Sequence, residues 1–156
     1  MKKSNHASDY TDSFGLVTAG GVCQGCGMLE VTQDGFDFEI LSDYPNPDVD
    51  AAGEYGCLVI LDEKNLFLVG GQEGFHGSPR AFIYNRDDGN WREVESMQED
   101  RRDHSCGLVK GNSGYEVVVV GGRGKDASGV DTVMKKSFEI FSLETETWMP
   151  GTHIRF

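Results

Sequence analysis

Few residues in this 156-residue chain have the types and spacing that chemistry needs. Cys23 and Cys26 form a CQGC pair. A structural zinc takes about four N or S ligands, and this pair supplies half of them. His76, in "FHGS", adds a third at most. A redox dithiol works best at a helix N-terminus, and no helical pattern surrounds the pair. It is read as free thiols or a local disulfide, with a metal as the lesser alternative. Asp48, Asp50 and Glu54 in "PDVDAAGE" lack the glycine and the third ligand of a calcium loop. His104 lies close to Arg101 and Arg102. As a general base it would need a nucleophile or acid partner; none is identifiable, so a structural, hydrogen-bonding role is expected. "GGRGKDASG" is glycine-rich and basic, but a phosphate-cradling loop must open a helix, and no helical periodicity follows. Nucleophile elbows and His-Glu zinc helices are absent. The expectation is therefore no catalytic residue, no metal and no cofactor.

The elements that carry these residues repeat. "GLVTAGGVC", "LFLVGGQEG" and "EVVVVGGRG" each end an apolar run in a glycine pair. The pairs are Gly20-Gly21, Gly70-Gly71 and Gly121-Gly122, so the spacings are 50 and 51 residues. A recurrence at that period marks a repeat architecture. Each period reads as hairpins. "YGCLVILDEKNLFLVGG" turns at Asp62 to Asn65, and "AFIYNRDDGNWREV" turns at Asp88-Gly89, where glycine supplies positive φ. "HSCGLVKGNSGYEVVVVGG" turns at Gly111 to Gly114, and "KSFEIFSLETETWMP" follows. In the first period Phe36, Phe38 and Ile40 alternate with Asp37 and Glu39, as in a half-buried strand. Strands apolar at every position are buried on both faces, which radial stacking of four-stranded sheets achieves. The glycine pairs then mark strand exits that turn sharply and pass close to neighbours. Cys57 and Cys106 occupy comparable places in their repeats and are expected to be small buried thiols.

Charge limits the partners. The net charge is −12, and between Lys3 and Lys64 there are twelve Asp and Glu but no Lys or Arg. From Lys64 onward twelve basic residues face fourteen acidic ones. An acidic first third repels phosphate backbones, so nucleic acid is not an expected partner. No apolar run reaches membrane-spanning length and "MKKSNHASDYTDS" lacks the apolar stretch of a signal peptide. The compartment stays open, with the cytosol as default. The 38% hydrophobic content, nine Phe, five Tyr and two Trp belong to a folded chain.

In "WREVESMQEDRRDHSCGLVKGNSGYEVVVVGG", Trp91, Val94, Met97, Arg101, His104 and Ser105 precede a glycine pair in fixed register. This series resembles kelch repeats, and the resemblance covers nearly everything after residue 13. The first repeat departs from the pattern: Phe38 replaces the Trp, and the Arg-His element is missing. The third keeps Trp148 but not the following Met, Arg and His. The resemblance implies an all-β, partial kelch-type β-propeller of about three four-stranded antiparallel blades, the first and last incomplete. Its bounds are a flexible tail at 1–13 and repeats at about 14–52, 53–101 and 102–156. Trp91 and Trp148 are expected in blade-to-blade packing. Such an arc exposes inner surface and unpaired edges. A remnant of a longer propeller is the favoured reading, and closure by self-association or another protein is the other.

The resemblance also implies a protein-binding module that grips partners with loops on one rim. There the rim maps to Gln72, Glu73 and His76, to Arg123 and Lys125, and to Arg101 and Arg102. Guanidinium groups suit bidentate capture of carboxylates, so an acidic peptide segment is the expected ligand. Some propellers of this type are oxidases or sugar isomerases, which need metal ligands or acid-base groups that the sequence does not display.

Overall fold

The computed structural model describes residues 55–73, 76–111, 114–126, 128–129 and 133–151, together with the strand backbones at 6–11, 15–20, 26–32, 35–40 and 52–54. Gly21, Cys23, Asp48 and Asp50 lie outside the described residues, and for Gly20, Cys26 and Glu54 only the backbone is described. Every element among them is a β-strand. The first sheet runs β1 (His6–Thr11), β2 (Gly15–Gly20), β3 (Cys26–Thr32) and β4 (Gly35–Ile40). The second holds β5 (Ala52–Ile60), β6 (Asn65–Glu73), β8 (Ala81–Asn85) and β9 (Asn90–Val94), with the short β7 (His76–Gly77) paired off the end of β6. The third holds β10 (Ser105–Lys110), β11 (Tyr115–Val120), β14 (Phe138–Ser142) and β15 (Thr147–Pro150). Between β11 and β14, β12 (Arg123–Gly124) and β13 (Val133–Met134) form a separate ribbon.

All pairings are antiparallel and each sheet is a sequential meander. Both β1 and β10 lie against β5, so the first strands of the three sheets are neighbours and the fourth strands lie outermost. The sheets stack as an arc. Two sequence expectations are corrected here. His6–Thr11 is a strand paired with β2 rather than tail, and the first and third sheets each carry four strands. "HASDYT" has no apolar run for a sequence pattern to find, and its backbone pairing with β2 is what defines it as a strand.

The turns follow their sequences. Asp62 Oδ1 accepts from the backbone N–H groups of Lys64 and Asn65 at 2.8 and 2.9 Å, closing the β5–β6 hairpin. Gly89, with φ 64°, closes β8–β9.

The middle sheet is buried on both faces. Val59, Phe67 and Ile83 pair across strands on one face, and Leu58, Leu68 and Phe82 on the other; none exceeds 7% exposure. The third sheet differs. Val117 and Val119 are fully buried, whereas Val118 is partly open and Val120 is 37% exposed. The all-valine run was expected to be covered on both sides, and among the described residues it is covered on one, where the second sheet packs against it. Between these two sheets lies the core: Phe67, Phe141 and Trp148 form an aromatic cluster with ring centroids 4.9 to 6.2 Å apart. Trp148 also donates its indole N–H to the Glu95 carbonyl at 2.6 Å. On the middle sheet's other face, Trp91 packs on Tyr84 at 5.1 Å.

Cys57 of β5 and Cys106 of β10 are joined in a disulfide, with Cα atoms 5.9 Å apart, rather than standing as separate thiols. Equivalent positions on the first strands of successive repeats come together when the sheets stack radially, so the bond staples two sheets at the inner end of the arc.

Candidate functional site

The site is built around the segment that leads from the second sheet to the third, residues 95–104. Its anchor is Arg101, which is fully buried. The Arg101 guanidinium donates to Glu139 Oε1 from Nε and Nη2 at 3.2 and 3.1 Å, to the Gly121 and Ser137 carbonyls at 2.8 and 3.2 Å, and to Glu99 Oε2 at 2.7 Å. Glu139, on β14 and itself buried, accepts from the backbone N–H groups of Gln98 and Glu99 at 2.7 and 3.2 Å. The planar fork and the carboxylate satisfy one another and the surrounding backbone. Residues 98–101 are thereby held against the third sheet.

The same segment explains both glycine pairs. Arg101 bridges Ser78, and Arg102 bridges Arg123, so the chain runs as a short ribbon between the exits of two sheets. The Gly71 N–H donates to the Arg101 carbonyl at 2.9 Å. Gly70, Gly71, Gly121 and Gly122 all have positive φ. A Cβ on Gly70 would lie 2.4 Å from the His104 ring and 2.7 Å from the Arg101 carbonyl. One on Gly122 would lie 2.6 Å from the Arg102 carbonyl and 2.7 Å from the His104 Cβ. His104 is thus wedged between the two exits. Neither ring nitrogen has a hydrogen-bond partner among the described residues. Among the described residues packing, rather than hydrogen bonds, holds the ring there. Burial first, then the neighbouring Arg101 charge, push its pKa down to about 4; the Val69 backbone pulls weakly the other way without reaching hydrogen-bond geometry.

Beside this ribbon an open cleft of about 590 Å³ lies between the loop ends of the second and third sheets. It is lined by Glu73, His76, Pro79, Met97, Asp100 and Lys125, among others. The Asp100 carboxylate accepts from the Lys125 backbone N–H at 3.1 and 3.0 Å, which fixes the far wall. Lys135 Nζ, 3.8 Å from both Glu99 and Asp100, reinforces it from behind. On the near wall Glu73 accepts from Ser78 Oγ at 3.3 Å.

Of the expected rim residues, Glu73, His76 and Lys125 line the cleft. Gln72 accepts from Arg102 at 3.4 Å, so those two form part of the ribbon's edge. Arg123 is exposed, and among the described residues its side chain and that of Lys125 make no ion pair. Arg101 is the correction. Its side chain is spent on Glu139 and the backbone and presents nothing to a partner. Consecutive residues of an extended segment point to opposite sides, and the sequence does not say which of two adjacent arginines faces inward. Asp100 and Met97 were missed as lining residues; Asp100 precedes Arg101 in the connection and so faces the rim. Among the described residues no three His, Cys, Asp or Glu side chains converge as a ligand set for a metal ion.

No family model matches the sequence, and no curated protein does. Solved structures do match. The structure of YjhT superposes with a TM-score of 0.74 at 13% identity, covering 99% of this chain and 52% of that one. The architecture is a partial β-propeller. A fungal alcohol oxidase of the AA5 family, in complex with copper, gives a TM-score of 0.67 at 16% identity over 97% of this chain and 31% of that one. The chain therefore spans about half the length of the first structure and a third of the second, and at these identities the likeness is one of fold alone.

Proposed function

We propose that this chain is a kelch-type propeller module that binds a protein partner at the cleft between its second and third sheets, and that it is not an enzyme. The kelch reading is supported by the use made of the motif residues. Met97 packs in the core, Arg101 pins the connection, His104 wedges between the glycine exits and Trp148 caps the inter-sheet cluster.

The binding reading rests on one observation: the cleft combines side chains of both charge signs on loops that the core does not use. Lys125 in the lining, with the exposed Arg123 two residues before it on β12, offers cationic groups to a carboxylate, while Glu73 and Asp100 make the cleft bipolar. An acidic segment carrying a neighbouring basic or hydroxyl residue fits this pattern better than a polyanion does. The disulfide between Cys57 and Cys106 suits an oxidising compartment better than the cytosolic default.

The test is fluorescence anisotropy with a labelled, Glu- and Ser-rich dodecapeptide at low salt. Wild-type chain should bind it, and Arg123→Glu with Lys125→Glu should weaken binding at least ~10-fold, about 1.4 kcal/mol. Equal affinity for both proteins, or no binding by the wild type, rejects the assignment.

A further inference from the structure

We infer that the β12–β13 ribbon gives the cleft an apolar subsite, so that the segment bound there carries an apolar side chain two residues from its carboxylate. The inference rests on the peptide-binding reading and specifies the peptide. The ribbon continues the chain run that crosses the rim. The backbones of Arg102 and Arg123 exchange hydrogen bonds at 2.9 and 2.8 Å, and Arg123 in turn lies opposite Met134. Directly opposite residues project to the same side of a sheet, with Cβ atoms roughly 4.5–5.5 Å apart. Arg102, Arg123 and Met134 therefore form one row. Alternation along an extended segment puts Lys125 on the side of Arg123, and Lys125 lines the cleft. Val133, opposite Gly124, projects to the other side.

Met134 is 62% exposed, the most open of the large apolar side chains among the described residues. A single exposed apolar residue is ordinary. This one stands beside an exposed guanidinium, on a ribbon that gives no described residue to the hydrophobic core. Arg and Met are both enriched at protein interfaces, and the unbranched thioether adapts to differently shaped apolar partners. Charge points the same way. Residues 123–136 hold four basic and two acidic residues in a chain of net charge −12, so the ribbon is a local cationic patch that draws an acidic segment. Spacing then selects the motif. In an extended peptide, residues i and i+2 face one side about 7 Å apart, so a carboxylate held by Arg123 sets the second residue against Met134.

The experiment is fluorescence anisotropy at low salt on the oxidised 156-residue chain with two labelled dodecapeptides. Both are Glu- and Ser-rich. One has Leu and the other Ser at the two positions that lie two residues either side of a central Glu, so chain direction does not matter. Wild type should bind the Leu peptide at least ~5-fold tighter, the scale of one partly buried apolar side chain. Met134→Ser should remove that preference while its affinity for the Ser peptide, which doubles as the control for folding, stays within ~2-fold of wild type. Val133→Ser, on the other side of the ribbon, should keep the preference. Equal wild-type affinities for the two peptides, or a Leu preference that survives Met134→Ser, overturn the inference and leave the cleft reading standing. Loss of the preference in Val133→Ser as well also overturns it, since the effect then belongs to the ribbon's structure and not to one side chain. Binding of neither peptide rejects the inference and the cleft reading together.

Discussion

Replacing Arg101 by Met separates a structural role from a binding role for this residue. The Arg101 guanidinium is fully buried, and its partner Glu139 is 2% exposed. Removing the cation leaves a carboxylate away from water, with the Gln98 and Glu99 amides as its remaining donors among the described residues. It also strips a donor from the Gly121 and Ser137 carbonyls. Breaking a buried pair from one side costs ~3–5 kcal/mol, a large part of the ~5–15 kcal/mol that holds a domain together. At ~2–4 °C per kcal/mol for a chain of this size, Tm should fall by roughly 6–20 °C. The Glu99 contact adds little, because that side chain is 39% exposed and water screens it. Urea unfolding followed by Trp148 and Trp91 fluorescence measures the change. Glu139→Gln completes a double-mutant cycle, and the two substitutions should couple by at least ~2 kcal/mol. A loss under ~1 kcal/mol for Arg101→Met, or no coupling with Glu139→Gln, would falsify the buried-hub account. So would unchanged stability accompanied by lost affinity for an acidic peptide.

Other perturbations test separate parts. Cys57→Ser with Cys106→Ser opens a loop closed across 49 residues, which chain entropy values at about 4 kcal/mol; the urea midpoint should drop accordingly and stop responding to reductant. His104 has a folded pKa of about 4 against 6.5 in the unfolded chain. The unfolded state therefore binds more protons between those values, so this contribution is complete above pH 6.5 and is lost as pH falls toward 4. The loss is roughly 2 kcal/mol by pH 5, and His104→Gln should flatten that part of the pH profile relative to wild type; parallel profiles would contradict the burial of a neutral ring. Gly122→Ala meets the Arg102 carbonyl and the His104 Cβ at a positive φ and should cost about 2–3 kcal/mol. A neutral result by thermal unfolding would mean that the exit needs no glycine.

The strand pattern and the glycine period were legible because both follow from local rules. Alternation exposes a half-buried strand, and glycine marks a positive φ with close backbone neighbours, as at Gly70 and Gly122. What the sequence concealed depends on stacking. Cys57 and Cys106 sit at matching repeat positions, a signal that gains meaning only once first strands are known to be neighbours. The valines of β11 resemble the buried run of β6, yet their second face is open because no sheet described here covers it. Arg101 and Arg102 are alike in sequence and opposite in environment, since an extended segment turns one inward. The strand His6–Thr11 was invisible because its composition is largely polar and offers no apolar run to read.

The central claim is that the cleft between the second and third sheets receives an acidic partner segment. Backbone amide chemical-shift mapping on isotope-labelled chain, titrated with the Glu- and Ser-rich dodecapeptide, tests it most directly. The account predicts saturable shifts concentrated at His76, Gln98, Asp100, Arg123 and Lys125, with β8 and β9 silent. Shifts confined to other surfaces, or none at millimolar peptide, would contradict it.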